Sequence, residues 1–189
     1  VAPGPFPTEY AWQMLNPTSD SSVGATQADE VPMGRYGKME ELGNLAHGYL
    51  DQRPELLSMG WLMPVAGAER PAFEAWARQQ VAPNFAIRER TPPTQAMRVA
   101  AERERYFVVT FVEPTAARDY VGLDLLSEER RSAALERAIQ SGQPTATAPL
   151  QFGRTMPGTG LLLLQTVHPS NNHRQAVGAL LIAMQFEAY

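Results

Sequence analysis

The chain has no cysteine, one lysine among its 16 basic residues and only 3 histidines in 189 residues. Without cysteine there is no disulfide, no thiolate nucleophile and no cysteine-ligated zinc. The net charge is −4, and the arginines are scattered among acidic residues. A nucleic-acid-binding domain normally carries a basic patch or stripe, so we expect no nucleic-acid partner.

Long hydrophobic runs are also missing. No stretch approaches the roughly 20 apolar residues that span a bilayer. The best apolar runs, at 161–164 and 179–184, have the length of strands. The hydrophobic content of 44% nevertheless permits a real core. Because the chain begins at Val1 rather than Met, we expect it to be processed or cut from a longer protein, and if that protein is membrane-bound, its anchors lie outside this sequence.

Familiar catalytic motifs are absent as well. There is no G-x-S-x-G, no H-E-x-x-H and no phosphate-binding loop. His168 and His173 share a polar segment without a nearby acid, which is typical of a solvated loop rather than a metal site. The doublet 128–129 complements a helix dipole. We therefore predict no catalytic residue, no metal and no cofactor, and keep a small extracellular enzyme with an unrecognised site as a second alternative.

The chain divides into two parts by composition. Residues 1–34 are rich in Pro, Ser, Thr and Gly, which predicts an irregular segment. Residues 35–189 carry the periodic patterns of a folded domain. Its first element is a helix at 34–50, whose apolar stripe predicts either pairing with a second copy or packing on its own sheet.

The patterns after this helix predict an α+β fold. Strands are expected at 56–65, 85–88, 106–112, 160–167 and 177–186, with a helix that has Pro71 in its first turn. Residues 91–100 resemble a loop. The strand at 106–112 is apolar on both faces and should be central. The simplest assembly is a mostly antiparallel sheet of about five strands with helices against one side.

Asp124 is the acidic residue with the most informative context. It lies between Leu123 and Leu125, where a carboxylate is costly to bury unless it is hydrogen-bonded. It either accepts hydrogen bonds from a ligand or caps a turn before the next helix, for which we expect Ser127 as the N-cap and Gly142 just after the C-terminal end. From the residues alone, both interpretations stay open.

Aromatic residues and a glycine supply further candidates for a binding site. Tyr106 and Phe111 lie on the aromatic strand, which is either core or the floor of a pocket for a flat ring. Phe152, Gly153 and Thr155 follow the expected strand at 146–150. Gly153 either lets a ligand approach the backbone closely or forms a bulge.

Four blocks of the chain resemble one known family. They read GWLMPVAGAERPAFEAWA at 60–77, FAIRER at 85–90, YFVVTFVEP at 106–114 and GLDLLSEERRSAALERAIQSGQPTATAPL at 122–150. Their succession is similar to the CHASE family of sensory domains, and the last block is the most specific. The resemblance implies a PAS-like antiparallel sheet with flanking helices and a preceding N-terminal helix.

The resemblance also implies a function. CHASE domains lie outside the cytoplasm between two membrane spans of receptors such as histidine kinases and diguanylate cyclases. In the plant cytokinin receptors of this family, an acid in the segment that matches Asp124 binds the adenine ring, and Thr155 matches a further position. Val108 stands where the family often has proline, and the N-terminal helix is short for the family.

We therefore predict a periplasmic or extracellular small-molecule-sensing domain of an inner-membrane receptor, without catalytic activity of its own. The alternative is an interaction module that senses a periplasmic binding protein. Expected partners are a small-molecule ligand, the membrane through flanking helices and, in one interpretation, a second copy. The expected ligand-binding residues are Asp124, Thr155, Phe111, Tyr106, Phe152 and Gly153.

Overall fold

The structure, a computed structural model, describes residues 39–91, 96–152, 158–168 and 176–185. The chain forms two compact units, Val1–Tyr49 and Leu50–Tyr189. Most of helix α1 (Met39–Gln52) belongs to the first unit, and Ala46 on this helix is buried. The predicted irregular segment 1–34 lies outside the described residues, and so do the first residues of the predicted helix.

The second unit contains the remaining helices and strands. Among its described residues, 3-10 turns are found at Gly67–Glu69, Thr115–Tyr120 and Leu125–Ser127. The other elements are β1 (Leu56–Ala66), α2 (Arg70–Gln80), β2 (Arg88–Thr91), β3 (Ala96–Val99), β4 (Arg105–Glu113), α3 (Glu129–Ser141), β5 (Thr145–Ala146), β6 (Leu150–Gln151), β7 (Thr159–Val167) and β8 (Gly178–Gln185). The predicted α+β class is confirmed.

The main sheet is antiparallel throughout. Its order is β4-β1-β8-β7-β5, and the short strand β6 also pairs with β7. The register places Leu62 of β1 opposite Val109 of β4 on one side and Ala179 of β8 on the other. The described part of the sheet has six strands rather than five, and β5 and β6 are separate short strands that both pair with β7. The strand order does not conflict with a PAS-like sheet, which stays a prediction.

Strand β4 was expected in the centre of the sheet, but it is the last strand of the main sheet. Its outer edge is nevertheless hydrogen-bonded to residues 122–124. The Val109 N–H donates to the Leu123 carbonyl (3.0 Å), and the Gly122 N–H donates to the Val109 carbonyl (2.8 Å). The apolar pattern correctly indicated a strand buried on both faces, but burial does not determine the order of strands.

Residues 96–99 form a strand where a loop was expected. Strand β3 pairs with β2 in a two-stranded hairpin, with Arg88 opposite Val99. Three of its four residues are exposed, so the apolar alternation that identifies a strand is missing. The preceding strand begins at Arg88, where the prediction placed its end.

Residues 122–124 join the hairpin to the main sheet. The Arg88 N–H donates to the Gly122 carbonyl, and the Asp124 N–H donates to the Arg88 carbonyl, both at 2.8 Å. Backbone hydrogen bonds therefore run without interruption from β4 through 122–124 to β2 and β3. We call residues 122–124 the linking segment.

The two helices of the second unit lie on opposite faces of the sheet. Helix α3 contributes Ala134 and Leu135 to the hydrophobic core, together with Phe107 of β4. Helix α2 places the guanidinium of Arg70 5.2 Å from the ring centre of Tyr106. Because Tyr106 and Phe107 are successive residues of one strand, they point to opposite faces. The expectation of helices on one side was wrong because β4 buries both of its faces.

The ends of α3 differ in how well the sequence predicted them. Gly142 ends the helix with a φ of +65°, as expected for a C-terminal glycine. The N-cap is Glu128 rather than Ser127, and its carboxylate accepts hydrogen bonds from the N–H groups of Arg130 and Arg131. Ser127 is unavailable for this role because its hydroxyl donates to the Asp124 carbonyl (2.6 Å).

We expect Gly122→Ala to destabilise the domain more than Gly142→Ala. Both glycines have positive φ, +88° and +65°, but only at Gly122 would a Cβ meet backbone, lying 2.5 Å from the Ala86 carbonyl oxygen. The backbone strain alone costs about 1 kcal/mol at Gly142, and the added clash raises the loss at Gly122 to about 3 kcal/mol. Urea denaturation measures both, and equal losses would contradict tight packing of the linking segment.

Candidate functional site

Asp124, the polar residue of the linking segment, is fully buried. Its Oδ1 accepts hydrogen bonds from the Phe107 N–H (2.9 Å) and the Leu126 N–H (3.1 Å). Its Oδ2 lies 3.5 Å from Nη1 of Arg103. The bond to Leu126 confirms that Asp124 caps the turn before α3. Direct contact between Asp124 and a ligand stays a prediction.

The local sequence explains why this carboxylate points where it does. Asp124 has an extended backbone, with φ −81° and ψ 114°. Successive side chains of an extended chain point in opposite directions. Leu123 and Leu125 belong to the hydrophobic core, so Asp124 points away from that core toward β4 and Arg103. Its hydrogen bonds compensate for burying a polar group.

Burial also controls the protonation of Asp124. Loss of water around the carboxyl raises the pKa of Asp124 above its ordinary value, although hydrogen bonds from Phe107 and Leu126 oppose this effect. The charge of Arg103 also opposes it, whereas the nearby charge of Glu89 adds to it. The folded protein therefore favours the neutral acid more than water does.

Glu89 on β2 is a second buried carboxylate, with 3% of its surface exposed. Its Oε2 lies 2.7 Å from Nη2 of Arg103, and its Oε1 lies 2.6 Å from Nη2 of Arg98. Burial alone would raise the pKa of Glu89, but the hydrogen bonds from Arg103 and Arg98 outweigh it and lower that pKa. Arg103 thus joins two buried carboxylates that belong to different elements.

An open cleft of about 1120 Å³ lies on the α2 face of the sheet. The Tyr106 hydroxyl, at its base, accepts a hydrogen bond from the Arg103 N–H (2.8 Å) and donates one to the Ala101 carbonyl (3.0 Å). Nη1 of Arg70 lies 3.1 Å from the same oxygen. The lining residues are Gly67, Ala68, Arg70, Pro71, Glu74, Val99, Ala100, Glu102, Arg103, Glu104 and Tyr106.

A small cavity lies on the opposite, α3 face of the sheet. Its volume is about 30 Å³, which is room for about one water molecule. Four strands of the sheet form one wall, and the chain after β4 and Phe152 form the other. The lining residues are Ser58, Val109, Val112, Tyr120, Leu123, Leu125, Phe152, Leu162, Leu181 and Ala183. The walls are apolar, and we call this space the core cavity.

The described residues that we predicted as ligand contacts lie in different places. Phe152 lines the core cavity, and Tyr106 lines the open cleft on the other face. Asp124 is buried beside the linking segment, and Phe111 is half-buried opposite Trp61 of β1. Gly153 and Thr155 lie outside the described residues. Their roles in ligand binding stay predictions.

Sequence reasoning missed three residues that line the core cavity, and it missed Arg103, which contacts Asp124. Tyr120, Leu123 and Leu125 line the cavity, but their apolar character alone did not distinguish them from ordinary core. Arg103 lies in a polar stretch, so nothing nearby in the sequence indicated a partner such as Asp124. The available signal for Leu123 and Leu125 was their position on both sides of a buried acid.

The described ranges are 39–91, 96–152, 158–168 and 176–185. Within these ranges, no three His, Asp or Glu side chains come together as potential metal ligands. His168 places Nε2 2.9 Å from the Thr166 hydroxyl, and His173 lies outside the described residues. None of the helices in the same ranges is long and apolar enough to cross a bilayer.

Comparison with known families identifies the family of the chain. The model of the CHASE domain family matches residues 39–188, most of the chain. The chain therefore belongs to the CHASE family and is an extracellular sensory domain of a signalling receptor, as its motifs predicted. No curated protein matches the chain.

We expect Asp124→Ala to destabilise the domain strongly and Asp124→Asn to do so less. Alanine leaves the buried N–H groups of Phe107 and Leu126 without their acceptor, at a combined cost of about 2–5 kcal/mol. Asparagine keeps an acceptor oxygen and loses only the charge opposite Arg103, so its cost should be about 1 kcal/mol. Urea denaturation compares both with exposed Asp119→Ala. Equal costs for alanine and asparagine would contradict the role of these hydrogen bonds.

We expect Glu89→Gln to cost about 1–3 kcal/mol at pH 7, because hydrogen bonds to charged partners are lost. The pKa of Glu89 is lower in the folded protein than in the unfolded chain. Below the unfolded value of about 4.3, the unfolded chain therefore binds more protons, and this contribution to stability decreases as pH falls.

The difference between Glu89→Gln and the parent should accordingly shrink with acidification. Asp124 contributes with the opposite sign because its pKa is raised, but it is present in both proteins and largely cancels. Chemical unfolding at pH 7 and at acidic pH measures the effect, with exposed Glu102→Gln as the control. A pH-independent difference would contradict the ion-pair account of Glu89.

Proposed function

We propose that this domain senses a small organic molecule in the core cavity, as part of a receptor of the histidine kinase or diguanylate cyclase type. The observation that carries the proposal is an apolar space between the sheet and the chain that links β4 to α3. Apolar concave sites of this kind are the usual places for small ligands. Membership of an extracellular sensory family supports the same function.

The size of the core cavity implies that binding changes the protein. A volume of about 30 Å³ is far below the roughly 300 Å³ of typical ligand pockets. A ligand must therefore push its walls apart and stabilise an expanded state. The free energy needed for expansion reduces the apparent affinity of the ligand. Because the ligand binds the expanded state, its binding also shifts the conformational equilibrium toward that state.

Phe152 is the wall residue that we expect to move. A Cβ added to Gly160 would lie 2.4 Å from Cε2 of Phe152, so the ring rests directly on the backbone of β7. Only the absence of a side chain at Gly160 lets it lie there. A rotation of the Phe152 side chain away from Gly160 would enlarge the space beside Leu162.

The walls also define the chemical class of the ligand. The lining is apolar, and Oδ1 of Asp124 already accepts two backbone hydrogen bonds. A strongly polar molecule would lose its bonds to water and find few replacements here. We therefore propose a largely apolar or aromatic ligand, with Phe152 in direct contact and Asp124 holding the wall from behind.

A second candidate function follows from the open cleft. The cleft is wide, about 1120 Å³, and exposed Val99 lies on its rim. Such a surface suits a segment of another protein better than an enclosed small molecule. It favours the alternative in which the domain senses a periplasmic binding protein on its α2 face.

The ligand proposal is tested by thermal unfolding of the purified domain with aromatic and aliphatic compounds such as indole and toluene. Binding to the folded state raises Tm, by an amount that grows with the logarithm of 1 + [L]/Kd. We expect at least one such compound to raise Tm. Ala183→Val, which adds methyl groups inside the core cavity, should abolish the effect.

Ala179→Val is the matched control. Ala179 lies on the same strand and in the same core, but it does not line the cavity. Compounds that bind the parent should therefore still bind Ala179→Val. If no compound binds the parent, or if binding survives in Ala183→Val, the core cavity is not the sensory site.

A further inference from the structure

We infer that Arg103 is a positioning residue for the core cavity, acting through Asp124 from the opposite face of the sheet. The inference rests on the proposed function, because it concerns how occupancy of the core cavity is transmitted. Arg103 does not line the core cavity; it lines the open cleft, and its side chain is 33% exposed. Its connection to the cavity is the buried carboxylate of Asp124.

The first step is the wall itself. Leu123 and Leu125 line the core cavity, and Asp124 between them points the other way. Any occupant that pushes the leucines outward must move the backbone of Asp124 with them. The carboxylate opposes this movement through its bonds to the Phe107 N–H and to Arg103.

The second step is the attachment of the linking segment on both edges. The Gly122 N–H donates to the Val109 carbonyl on one side, and the Gly122 carbonyl accepts from the Arg88 N–H on the other. Asp124 adds a further bond to the Arg88 carbonyl. An outward shift of the linking segment therefore moves β2, because β2 is bonded directly to it.

The third step is the guanidinium of Arg103, which links Asp124 to Glu89. Nη1 of Arg103 lies 3.5 Å from Oδ2 of Asp124, and Nη2 lies 2.7 Å from Oε2 of Glu89 on β2. The planar fork of arginine holds the two carboxylates at a set separation. Arg103 therefore keeps the linking segment and the hairpin in register while the cavity is closed.

The open cleft is the surface that depends on this register. The Arg103 backbone N–H donates to the Tyr106 hydroxyl, which also contacts Arg70 of α2. A change in the separation of Asp124 and Glu89 displaces Arg103 and thereby the surface of the cleft. Occupancy of the core cavity on one face thus changes the surface of the open cleft on the other face through the Arg103 side chain.

The test uses Ala183→Val as a built-in occupant of the core cavity, with Ala179→Val as the control for overpacking elsewhere. Hydrogen exchange is measured at the Arg88 and Asp124 amides, which bond the linking segment to β2. We expect exchange in Ala183→Val to be at least about fivefold faster than in Ala179→Val, a coupling of about 1 kcal/mol.

Each valine variant is then combined with a change at Arg103. In an Arg103→Gln background, the fivefold difference between Ala183→Val and Ala179→Val should become smaller, because only the backbone bonds between the linking segment and β2 then remain. In an Arg98→Gln background it should persist, because Arg98 bonds Glu89 without reaching Asp124. An arginine that only stabilised the fold would change exchange in both valine variants alike and leave their difference intact.

Two results overturn the inference. One is equal exchange in Ala183→Val and Ala179→Val, and the other is an undiminished difference in Arg103→Gln. If Arg103→Gln does not fold, Arg103→Lys serves instead, since a compact ammonium cannot hold both carboxylates as the fork does and should reduce the difference. Because the occupant is a valine, a failed compound screen would sink the ligand proposal without deciding this experiment.

Discussion

The carboxylate of Asp124 bonds the main sheet to the turn before α3, and the backbone N–H of the same residue bonds the β2–β3 hairpin. A buried carboxylate without partners would cost several kcal/mol, so these hydrogen bonds are a condition for the fold rather than an addition to it. Phe107, Leu126 and Arg103 each come from a different part of the chain, and each contacts Asp124. The leucines on either side of Asp124 point the other way, into the hydrophobic core.

This constraint lies between two different faces of the sheet. On the α3 face, the sheet encloses a small apolar space, as suits a ligand that must be excluded from water. On the α2 face, arginines and a tyrosine surround a cleft that is open to solvent. A sensory domain of a receptor has to convert occupancy into a change of shape, and the linking segment is the only backbone here described that borders the cavity and bonds to the hairpin behind the cleft. Cavity and cleft therefore belong to one mechanism in our proposal.

Local patterns in the sequence predicted most of the elements but not their arrangement. Apolar runs of strand length identified β1 and β4 because both strands are largely buried, and a glycine at 142 identified the end of α3. The same reasoning failed at 96–99, where an exposed strand lacks alternation, and at Ser127, whose hydroxyl bonds to Asp124 instead of capping α3. For the site, the sequence indicated Asp124 as unusual but could not indicate Arg103, since 21 residues separate them along the chain.

The sequence by itself determined the α+β class, the membership of the CHASE family and the turn-capping role that an acid between two leucines can play. These depend on short-range periodicity and on local hydrogen bonding, which are properties of neighbouring residues. Only the tertiary structure decided that α2 and α3 lie on opposite faces, that Phe152 and Tyr106 line different spaces, and that Arg103 bridges two buried acids. Those outcomes depend on which strand edges pair and on which charges can be buried together, and such long-range choices leave no mark on the residues beside them.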